Sequence, residues 1–515
     1  MNKLFYGDNL EILRKHIDDD SVDLVYIDPP FNSKRDYNII YDGATAQTKA
    51  FGDTWSLVGV QDLEKIIYED EAQRYNSLHT VLEGLKQILF YSPNASDKSL
   101  YAYLINMGVR LVEMHITLKE TGSIYLHCDP TASHYLKILM DAVFGKNNFK
   151  NEIVWCYDTG GRGKRHFPRK HDIIFWYSKG KNYLFLYEEV ALPRDTSTMH
   201  EPVLHDEDGK PYQRNFKNGK EYRYYLDKGV LSNDWWSDLP ALNPAAKERL
   251  GYPTQKPEAL LERIIRASCP KGGVVMDVYC GCGTTIAVAQ RLGMKWIGVD
   301  ITYLAVDLIQ QRLIDHFYLA GVEHPTKEQE IKAKIKFIKD TEVFGIPRDM
   351  ESAKKLARET KGDYVRKEFE KWAVFSVGGV YSEKKGADGG VDGYFYIHDA
   401  DKKGKLSKKQ CYIQVKSGKV GVKDIRDFDS TLNSLDSPIG IFISFAEEIT
   451  KPMVDYINSL PKYTSMLGRI YPKITIISIE DILSENVPDF AVRATKRAEA
   501  VSDEPTNGDL FLDMD

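Results

Sequence analysis

The sequence has 515 residues, of which 43% are hydrophobic and 28% charged, and its formal net charge is −6; these values are ordinary for a globular protein of about three domains. No apolar run approaches the roughly 20 residues that cross a bilayer, and the N-terminal stretch MNKLFYGDNLEIL lacks a cleavable signal, so we expect no membrane partner. Six unevenly spaced cysteines predict a reducing, cytoplasmic location, and the acidic charge restricts any nucleic-acid binding to local basic patches.

Apolar strands alternate with amphipathic helices through residues 1 to about 320, a pattern typical of a parallel α/β sheet. The predicted strands are 24–27, 123–127, 173–177, 274–278 and 296–299, and the clearest helices are 133–144 and 257–267. Residues 155–250 interrupt this pattern with charge, glycine and tyrosine, and are predicted to form an inserted module. We expect a helical connector (321–360), a smaller α/β domain (361–485) and an acidic, disordered tail (486–515) to follow.

The first predicted strand ends in the tetrapeptide Asp28-Pro29-Pro30-Phe31. Neither proline can donate a ladder hydrogen bond, so the strand must stop in a stiff turn. Such a turn either has this structural role alone, or it orients the carboxylate of Asp28 and the ring of Phe31 toward a ligand.

The predicted strand at 274–278 leads into the sequence DVYCGCGTT at 277–285. Glycines after a strand let the backbone approach a ligand closely, and the N-terminus of the next helix favours an anionic group. The following strand ends in an acid that can accept hydrogen bonds from two ribose hydroxyls. The pattern predicts a nucleoside-cofactor site for NAD or S-adenosylmethionine, and the D-x-Y-x-G-x-G spacing favours the second. The residues assigned to it are Asp277, Tyr279, Gly281, Gly283, Thr284 and Asp300.

Six motifs occur in a fixed order along the first 320 residues: Gly7-Asp8-Asn9, DPPF at 28–31, GSIYLHCDPTASHYLK at 122–137, HDIIFWYSK at 171–179, GYPTQKPEALLERII at 251–265 and DVYCGCGTT at 277–285. Together they resemble the β-class DNA amino-methyltransferases, which include the modification subunits of type III restriction systems. As in that class, the catalytic tetrapeptide precedes the cofactor loop. The resemblance implies a Rossmann-like fold, S-adenosylmethionine as methyl donor and double-stranded DNA as partner, and it is compatible with a homodimer.

The resemblance also implies a role for each residue of the tetrapeptide. The side chain of Asp28 and the backbone carbonyl of Pro29 would accept the two hydrogens of an exocyclic amine, which returns its delocalised lone pair to nitrogen. Pro30 would help to fix this backbone, and Phe31 would stack on a base that has left the duplex. The DPPF form favours adenine N6 as the target, and cytosine N4 stays open.

On the cofactor side, the family places the methionine end near the Gly281–Gly283 loop and the segment Thr254-Gln255-Lys256-Pro257. Asp300 would hold the ribose, and Asp8 would lie near the adenine ring. Residues 254–257 also suit a helix start with proline in its first turn, and both roles are compatible. His127 and Asp129 either line the pocket or serve the fold.

Residues 157–171, YDTGGRGKRHFPRKH, combine five cations other than histidine with glycines and aromatic residues. This composition suits either a solvated loop or a loop that follows DNA phosphates. Its position between the two halves of the methyltransferase favours the second reading, and we predict that residues 155–250 form the target-recognition region.

The C-terminal region contains GADGGVDGYFYI and QCYIQVKSG on either side of a polar turn, which predicts a hairpin. Asp392 begins the first strand, and Gln414 and Lys416 lie two residues apart on the second and therefore on one face. The acid and the amide would hold Mg²⁺ and the lysine would orient water, with Glu370 as a further ligand and Asp388 as a competitor for the role of Asp392. The arrangement resembles the PD-(D/E)xK nucleases in their Mrr-like form.

Three hypotheses follow from these motifs. The chain is a restriction–modification enzyme that methylates and cuts DNA, or a methyltransferase whose C-terminal domain binds DNA without cleaving it, as the neutral Gln414 would suit. The third hypothesis is an NAD-dependent enzyme, which the glycine loop and Asp300 allow but the DPPF and TQKP sequences do not support.

Overall fold

A computed structural model describes the chain in ranges that cover both predicted domains. These are residues 1–30, 36–40, 47–52, 60–69, 74–157, 167–193, 202–243, 246, 248–250, 252, 254–322, 324–347, 350–358, 363–382, 390–400, 406–465, 468–484 and 486–487. Within them, the longest helices are too polar or too short to traverse a bilayer.

The strands of the first two-thirds of the chain have the following bounds: β1 Asn2–Tyr6, β2 Val22–Ile27, β3 Asp36–Ile40, β4 Gln47–Gly52, β5 Leu118–Cys128, β6 Phe149–Cys156, β7 His171–Ser178, β8 Leu204–His205, β9 Pro211–Lys217, β10 Lys220–Tyr225, β11 Trp235–Trp236, β12 Val274–Asp277, β13 Lys295–Asp300 and β14 Thr341–Phe344. Nine of them form the main sheet, in the order β11-β6-β7-β5-β2-β12-β13-β1-β14. The strands β10, β9 and β8 form a small sheet, and β3 pairs with β4.

Nine α-helices accompany these strands in the described part of the region: α1 Asn9–His16, α2 Val60–Tyr68, α3 Asn76–Leu85, α4 Ala95–Thr117, α5 Ser133–Phe144, α6 Glu258–Ser268, α7 Thr284–Arg291, α8 Tyr303–Leu313 and α9 Lys327–Asp340. Short π-helical turns follow α3 and α8, at Lys86–Phe90 and Ile314–Tyr318. Short 3₁₀ turns lie at Lys146–Asn148, Tyr187–Glu189 and Leu226–Lys228.

The core of the main sheet explains why these segments fold where they do. Every residue of β2 is buried, as expected for a central parallel strand covered on both faces. Helix α4 is buried through most of its length and packs on the same side as α1, α2 and α5. A helix that is apolar around much of its circumference belongs in a core. The predicted strands and helices of the core are confirmed, with ends shifted by a few residues.

Two expectations about the main sheet need correction. The predicted parallel sheet is mixed, because β7 runs antiparallel to both β5 and β6. The predicted helical connector also contains a strand, β14, which pairs in parallel with β1 and completes the sheet edge. Its alternating buried residues, Thr341 and Val343, face the core; a four-residue strand between charged helices gives too short a pattern to recognise from sequence.

The C-terminal domain is a second α/β unit. Its strands are β15 Val380–Tyr381, β16 Gly393–Ala400, β17 Leu406–Val415, β18 Gly440–Ser444, β19 Tyr463–Thr464, β20 Ile470–Tyr471 and β21 Ile474–Ser478, and its helices are α10 Met350–Arg358, α11 Asp363–Ser376, α12 Val422–Ser434, α13 Lys451–Ser459 and α14 Ile479–Leu483, with a 3₁₀ turn at Ala446–Glu448. The sheet order β15-β16-β17-β18-β21 begins with the predicted antiparallel hairpin β16–β17 and continues with parallel pairs.

The two domains meet at helices α8 and α11. The ring of Tyr303, the first residue of α8, stacks on Phe375 of α11 at 5.6 Å between centroids and 8° between planes. Tyr303 lies three residues after Asp300, so the second domain packs directly beside the predicted cofactor loop.

Candidate active sites

Four carboxylates lie at the carboxyl ends of four neighbouring strands. Asp8 follows β1, Asp28 follows β2, and Asp277 and Asp300 are the last residues of β12 and β13. These strands are parallel and adjacent in the order β1, β13, β12, β2, so their carboxyl ends meet at one edge of the sheet. Ligands of open α/β sheets bind outside this edge. The tetrapeptide and the cofactor loop, distant in sequence, therefore come together.

Asp28 is held by a cation that the sequence does not place beside it. Its Oδ2 accepts a hydrogen bond from Nζ of Lys256 at 2.6 Å, and the two side chains are 15% and 9% exposed. The other oxygen, Oδ1, is buried and has no hydrogen-bond partner among the described residues. A buried acceptor without a partner is costly, so Oδ1 is available to a donor from outside the chain. Phe31 lies outside the described residues.

The segment 254–257 places Lys256 beside Asp28, and its backbone is strained. Thr254 has a φ of +62°, a left-handed conformation that is unfavourable for a β-branched residue. Gln255 braces the preceding loop, because its Oε1 accepts from the N–H of Leu250 at 2.8 Å and its Nε2 donates to the carbonyl of Glu248 at 2.7 Å. Pro257 is the N-cap of α6 rather than a residue of its first turn.

The glycine loop has the geometry that requires glycine. Gly283 has a φ of +73°, and a Cβ there would lie 2.6 Å from Cγ1 of Ile309. Gly281, with a φ of +48°, donates its N–H to Oδ2 of Asp300 at 2.9 Å. Asp277 stabilises the loop through two hydrogen bonds. Its Oδ1 accepts from the N–H of Tyr279 at 3.0 Å, and its Oδ2 accepts from the hydroxyl of Thr285 at 2.6 Å.

The helix after this loop, α7, begins at Thr284, whose hydroxyl lies 3.3 Å from a guanidinium nitrogen of Arg312. The guanidinium also donates to the carbonyl of Cys282 at 3.2 Å and to Glu258 at 2.6 Å. Arg312 is buried and ties the cofactor loop to α6 and α8. Sequence inspection missed it, since α8 lies beyond the recognised motifs.

The protonation of two acids at this edge differs from that of free side chains. Burial raises the pKa of Asp277 to about 7, and the charges of Asp28 and Asp300 add to this effect. Burial also raises the pKa of Asp300 to about 6, although its Oδ1 accepts from both the N–H and the hydroxyl of Thr302 at 2.8 Å. Both carboxyls are thus close to titration near neutral pH when no ligand is bound.

Asp8 connects the first helix to the same edge. Its Oδ1 caps α1 by accepting from the N–H groups of Leu10 and Glu11, and its Oδ2 accepts from Arg110 at 2.9 Å. The neighbouring Asn9 accepts from Nε of Arg110 and donates to the carbonyl of Val278 at 2.9 Å. Arg110, which the sequence did not single out, therefore links Asp8 to the cofactor loop through Asn9.

A buried polar network lies behind the tetrapeptide. The hydroxyl of Tyr26 lies 2.9 Å from Nδ1 of His127, whose Nε2 lies 3.0 Å from Oδ2 of Asp172. Tyr157 donates to Oδ1 of Asp172 at 3.0 Å. Burial alone would raise the pKa of Asp172, but its hydrogen bond and charge interaction with His127 and the charge of Lys256 outweigh burial and hold the pKa below its usual range. His127 is thus a satisfied core histidine, and Asp129 caps the turn before α5 by accepting from Thr131 and Ala132.

The charges at this edge discriminate between the two cofactors considered. An NAD molecule would bring an anionic pyrophosphate to an edge where four carboxyl groups, Asp8, Asp28, Asp277 and Asp300, outnumber two cations, Arg110 and Lys256. S-adenosylmethionine brings a sulfonium and an ammonium group, which such carboxylates attract. The residues present therefore fit a cationic nucleoside better than an anionic dinucleotide, and the role of Asp300 as the ribose acceptor stays a prediction.

The second predicted site lies in the C-terminal sheet. Gly393 of β16 pairs with Ile413 of β17, which places the preceding Asp392 opposite Gln414. Asp392 donates its N–H to the carbonyl of Ile413 at 2.9 Å, and its Oδ2 accepts from the N–H of Val415 at 2.7 Å. Lys416 follows at the end of β17, on the same face as Gln414.

The amide of Gln414 is oriented by the segment that precedes β16. Its Nε2 donates to the carbonyl of Gly390 at 2.7 Å, and its Oε1 is buried without a hydrogen-bond partner among the described residues. A free amide oxygen beside a carboxylate matches the oxygen ligands that Mg²⁺ prefers. In the described residues, no cluster of three or more His, Cys, Asp or Glu side chains could hold a metal ion, so a metal here would use the neutral amide.

Helix α11 carries two glutamates near this sheet. The predicted ligand Glu370 is partly buried. Glu368 is 6% exposed, its Oε2 has no hydrogen-bond partner in the described structure, and burial raises its pKa despite the hydrogen bond to Lys371. The role of Glu370 as a metal ligand beside Asp392 stays a prediction. The competing Asp388 lies outside the described residues.

Two family models match the chain. A model described as a DNA methylase matches residues 22–311, which is more than half of the sequence. A model described as a restriction endonuclease matches residues 367–468, which include Asp392, Gln414 and Lys416.

Curated relatives match the same first region. The DNA adenine methyltransferase YhdJ of Escherichia coli is 27% identical over 61% of this chain and 84% of its own length. The type II methyltransferase M.EcaI of Enterobacter cloacae is 28% identical over 41% of this chain and 57% of its own length. The StyLTI Mod subunit of a type III restriction-modification enzyme of Salmonella typhimurium is 25% identical over 56% of this chain and 50% of its own length. This chain thus spans little more than half of several relatives. Among solved structures, the cytosine-N4-specific PvuII DNA methyltransferase is 13% identical, with a TM-score of 0.37 over 67% of this chain and 95% of that one.

Proposed function

The chain belongs to the DNA methylase family and carries a restriction endonuclease domain, and on that premise we propose that it methylates an exocyclic amine of DNA, adenine N6, and cleaves DNA with Mg²⁺. The observation that carries the methylation proposal is the buried, unpartnered Oδ1 of Asp28 beside Lys256. The preference for adenine is supported by the DPPF sequence and by the name of the relative YhdJ. Double-stranded DNA as substrate, the Mg²⁺ requirement and a homodimer are parts of this proposal.

The residues around Asp28 make an amine reactive. Oδ1 of Asp28 accepts one N–H of the flipped base and the carbonyl of Pro29 accepts the other. The lone pair is then localised on the nitrogen instead of being delocalised into the ring. Lys256 holds Asp28 in one orientation through its hydrogen bond to Oδ2. Asp300 and the Gly281–Gly283 loop would hold S-adenosylmethionine, which would supply an electrophilic methyl group. As the amine nitrogen bonds to the methyl carbon, the bond from that carbon to sulfur would break and the neutral thioether S-adenosylhomocysteine would leave. The methylated nitrogen is then acidic, and the hydrogen already bonded to Asp28 passes to that carboxylate.

A direct assay tests this proposal. Purified protein is incubated with unmethylated duplex DNA and S-adenosylmethionine, and the DNA is digested to nucleosides for mass spectrometry. The expected product is N6-methyladenine. Accumulation of N4-methylcytosine instead would move the target to cytosine, and the absence of any methylated amine would contradict the proposal.

A second candidate function concerns the C-terminal domain alone. The neutral Gln414 should hold Mg²⁺ more weakly than a carboxylate would, which favours a domain that binds DNA without cleaving it. Incubation with unmethylated and fully methylated DNA plus Mg²⁺, with and without the methyl donor, separates the alternatives. We expect cleavage of one substrate; intact DNA in all four reactions would support the binding-only role.

Lys256 should act on the chemical step through Asp28. In a Lys256→Gln variant the carboxylate loses its buried cation, and we expect kcat for methyl transfer to fall by about 100-fold, a loss of about 3 kcal/mol in transition-state stabilisation. The Kd for S-adenosylmethionine should stay within about threefold. Steady-state kinetics and calorimetry measure the two effects. A larger loss of cofactor affinity than of kcat would instead support the family's placement of Lys256 at the methionine end.

Cofactor affinity should increase with pH. The pKa of Asp300 is raised to about 6 in the ligand-free protein, and ribose hydroxyls bond best to the ionised carboxylate. Below pH 6 the carboxyl must lose a proton on binding, so Kd should be about tenfold weaker at pH 5 than above pH 7. Calorimetry across pH 5–8 measures this dependence, and an Asp300→Asn variant should bind more weakly with a flatter profile. An unchanged Kd in the wild type would exclude Asp300 as the ribose acceptor.

A further inference from the structure

The β9–β10 hairpin of the small sheet, inside the inserted module, is an exposed ribbon with an excess of cationic side chains. Strands β9 and β10 join through Asn218 and Gly219, which have φ values of +53° and +75°, as in a two-residue hairpin turn. From Arg214 onward, β9 is exposed, and so is β10 up to its last residue. A ribbon with little burial on either face is not stabilised by a hydrophobic core. Packing therefore does not explain which residues occupy its exposed positions.

Cationic side chains oppose one another along this ribbon. Residues 210–225 contain five Lys or Arg side chains and one carboxylate, within a chain whose net charge is −6. The strand register sets Arg214 opposite Arg223 and Lys217 opposite Lys220. Like charges directly across an antiparallel pair are destabilising, although a salt bridge from Arg223 to Glu221 offsets part of the effect. Two such pairs in one hairpin are favourable only against an anionic partner.

Exposed aromatic rings alternate with these cations. Phe216, Tyr222 and Tyr224 are 58%, 42% and 38% exposed. The guanidinium of Arg214 lies 5.7 Å from the ring of Phe216, and the ammonium of Lys220 lies 5.8 Å from that of Tyr222. Flat rings and cations on a twisted two-stranded ribbon suit a polyanion with stacked bases.

Side-chain alternation separates two faces of the ribbon. One face carries Asn215, Lys217, Lys220 and Tyr222, with Asn215 directly opposite Tyr222. The B-form major groove admits a two-stranded ribbon, and an asparagine amide there can bond two atoms of an adenine edge. Resting on the proposed methylation of duplex DNA, we propose that this face enters the major groove, with Asn215 reading a base while Lys217 and Lys220 contact phosphates.

Binding and selection with the full-length protein test this assignment. For Lys217→Ala/Lys220→Ala, the affinity for a pool of random duplexes should fall about tenfold, and the slope of log K against log salt should become shallower by about 2. For Asn215→Ala, affinity for non-specific DNA should be nearly unchanged, but selection and sequencing of bound duplexes should show relaxed preference at one base pair. Lys327→Ala, on the remote helix α9, is the matched surface control.

The outcomes separate the ribbon assignment from the proposed function. An unchanged salt slope in the double lysine variant, or an unchanged selected motif in Asn215→Ala, would overturn the assignment even if the wild type methylates DNA. Equal competition by A-form double-stranded RNA, whose major groove is too narrow for a ribbon, would also overturn it. If the wild type transfers no methyl group, the proposed function fails, whereas DNA selection still decides the role of the ribbon.

Discussion

The variant Asp28→Ala should lose methyl transfer by about 10³-fold while it binds S-adenosylmethionine almost as well as the wild type. Alanine removes the acceptor Oδ1 that the structure leaves buried and unpartnered, and a positioned acid–base group contributes about 10²–10⁴-fold to rate. The groups proposed to hold the cofactor, Asp300 and the Gly281–Gly283 loop, do not include this side chain. The measurement pairs single-turnover kinetics with calorimetric titration of the cofactor.

The control for Asp28→Ala must separate chemistry from folding. Removal of one partner of a buried ion pair leaves Lys256 without its carboxylate and can cost about 3 kcal/mol or more of stability. Asp28→Asn keeps the size of the side chain and one acceptor oxygen, so it should fold with less penalty and retain more activity than the alanine variant. Equal methylation by Asp28→Ala and the wild type would exclude Asp28 from the reaction.

The variant Lys416→Ala should lose Mg²⁺-dependent DNA cleavage and retain methyl transfer. Lys416 directly follows the last residue of β17, two positions beyond Gln414 and therefore on its face of the sheet, where an ammonium group can orient or activate the attacking water. Its loss should lower the cleavage rate by about 10²-fold or more. Gel assays of a defined duplex, with methylation measured on the same preparation, report both activities.

Lys419→Ala supplies a matched control for the nuclease prediction. Lys419 lies three residues further along and is exposed, so its removal changes the charge by the same amount without touching the strand pair. We expect it to cut at the wild-type rate. Cleavage that persists in Lys416→Ala would assign the activity to another group or to a contaminant, and equal loss in both variants would indicate a general effect of charge on DNA binding.

Local sequence patterns predicted the elements of both sites. The apolar run before Asp28 and the two prolines after it fixed the end of β2, and the glycines of the cofactor loop occupy left-handed positions that favour glycine. The spacing of Gln414 and Lys416 likewise predicted one shared face, although β17 ends at Val415 and Lys416 lies just beyond it. In each case the backbone conformation depends on residues within one short stretch of chain, so it could be predicted from the sequence.

Contacts between distant segments were not predictable in the same way. The Lys256–Asp28 ion pair joins residues far apart in sequence, and the family resemblance implied a cofactor role for the lysine. Asp172 lies inside a recognised motif, yet its bond to His127 depends on β7 running antiparallel to β5. Side-chain periodicity reports which face is buried, but not which strand lies beside it.

Single-molecule sequencing of DNA from a methylation-deficient host tests the central claim most directly. Cells expressing the wild-type chain should show N6-methyladenine at one recurring sequence motif, and cells expressing equal amounts of Asp28→Ala should show none. A genome without modified amines, or the same modification with both chains, would contradict the account.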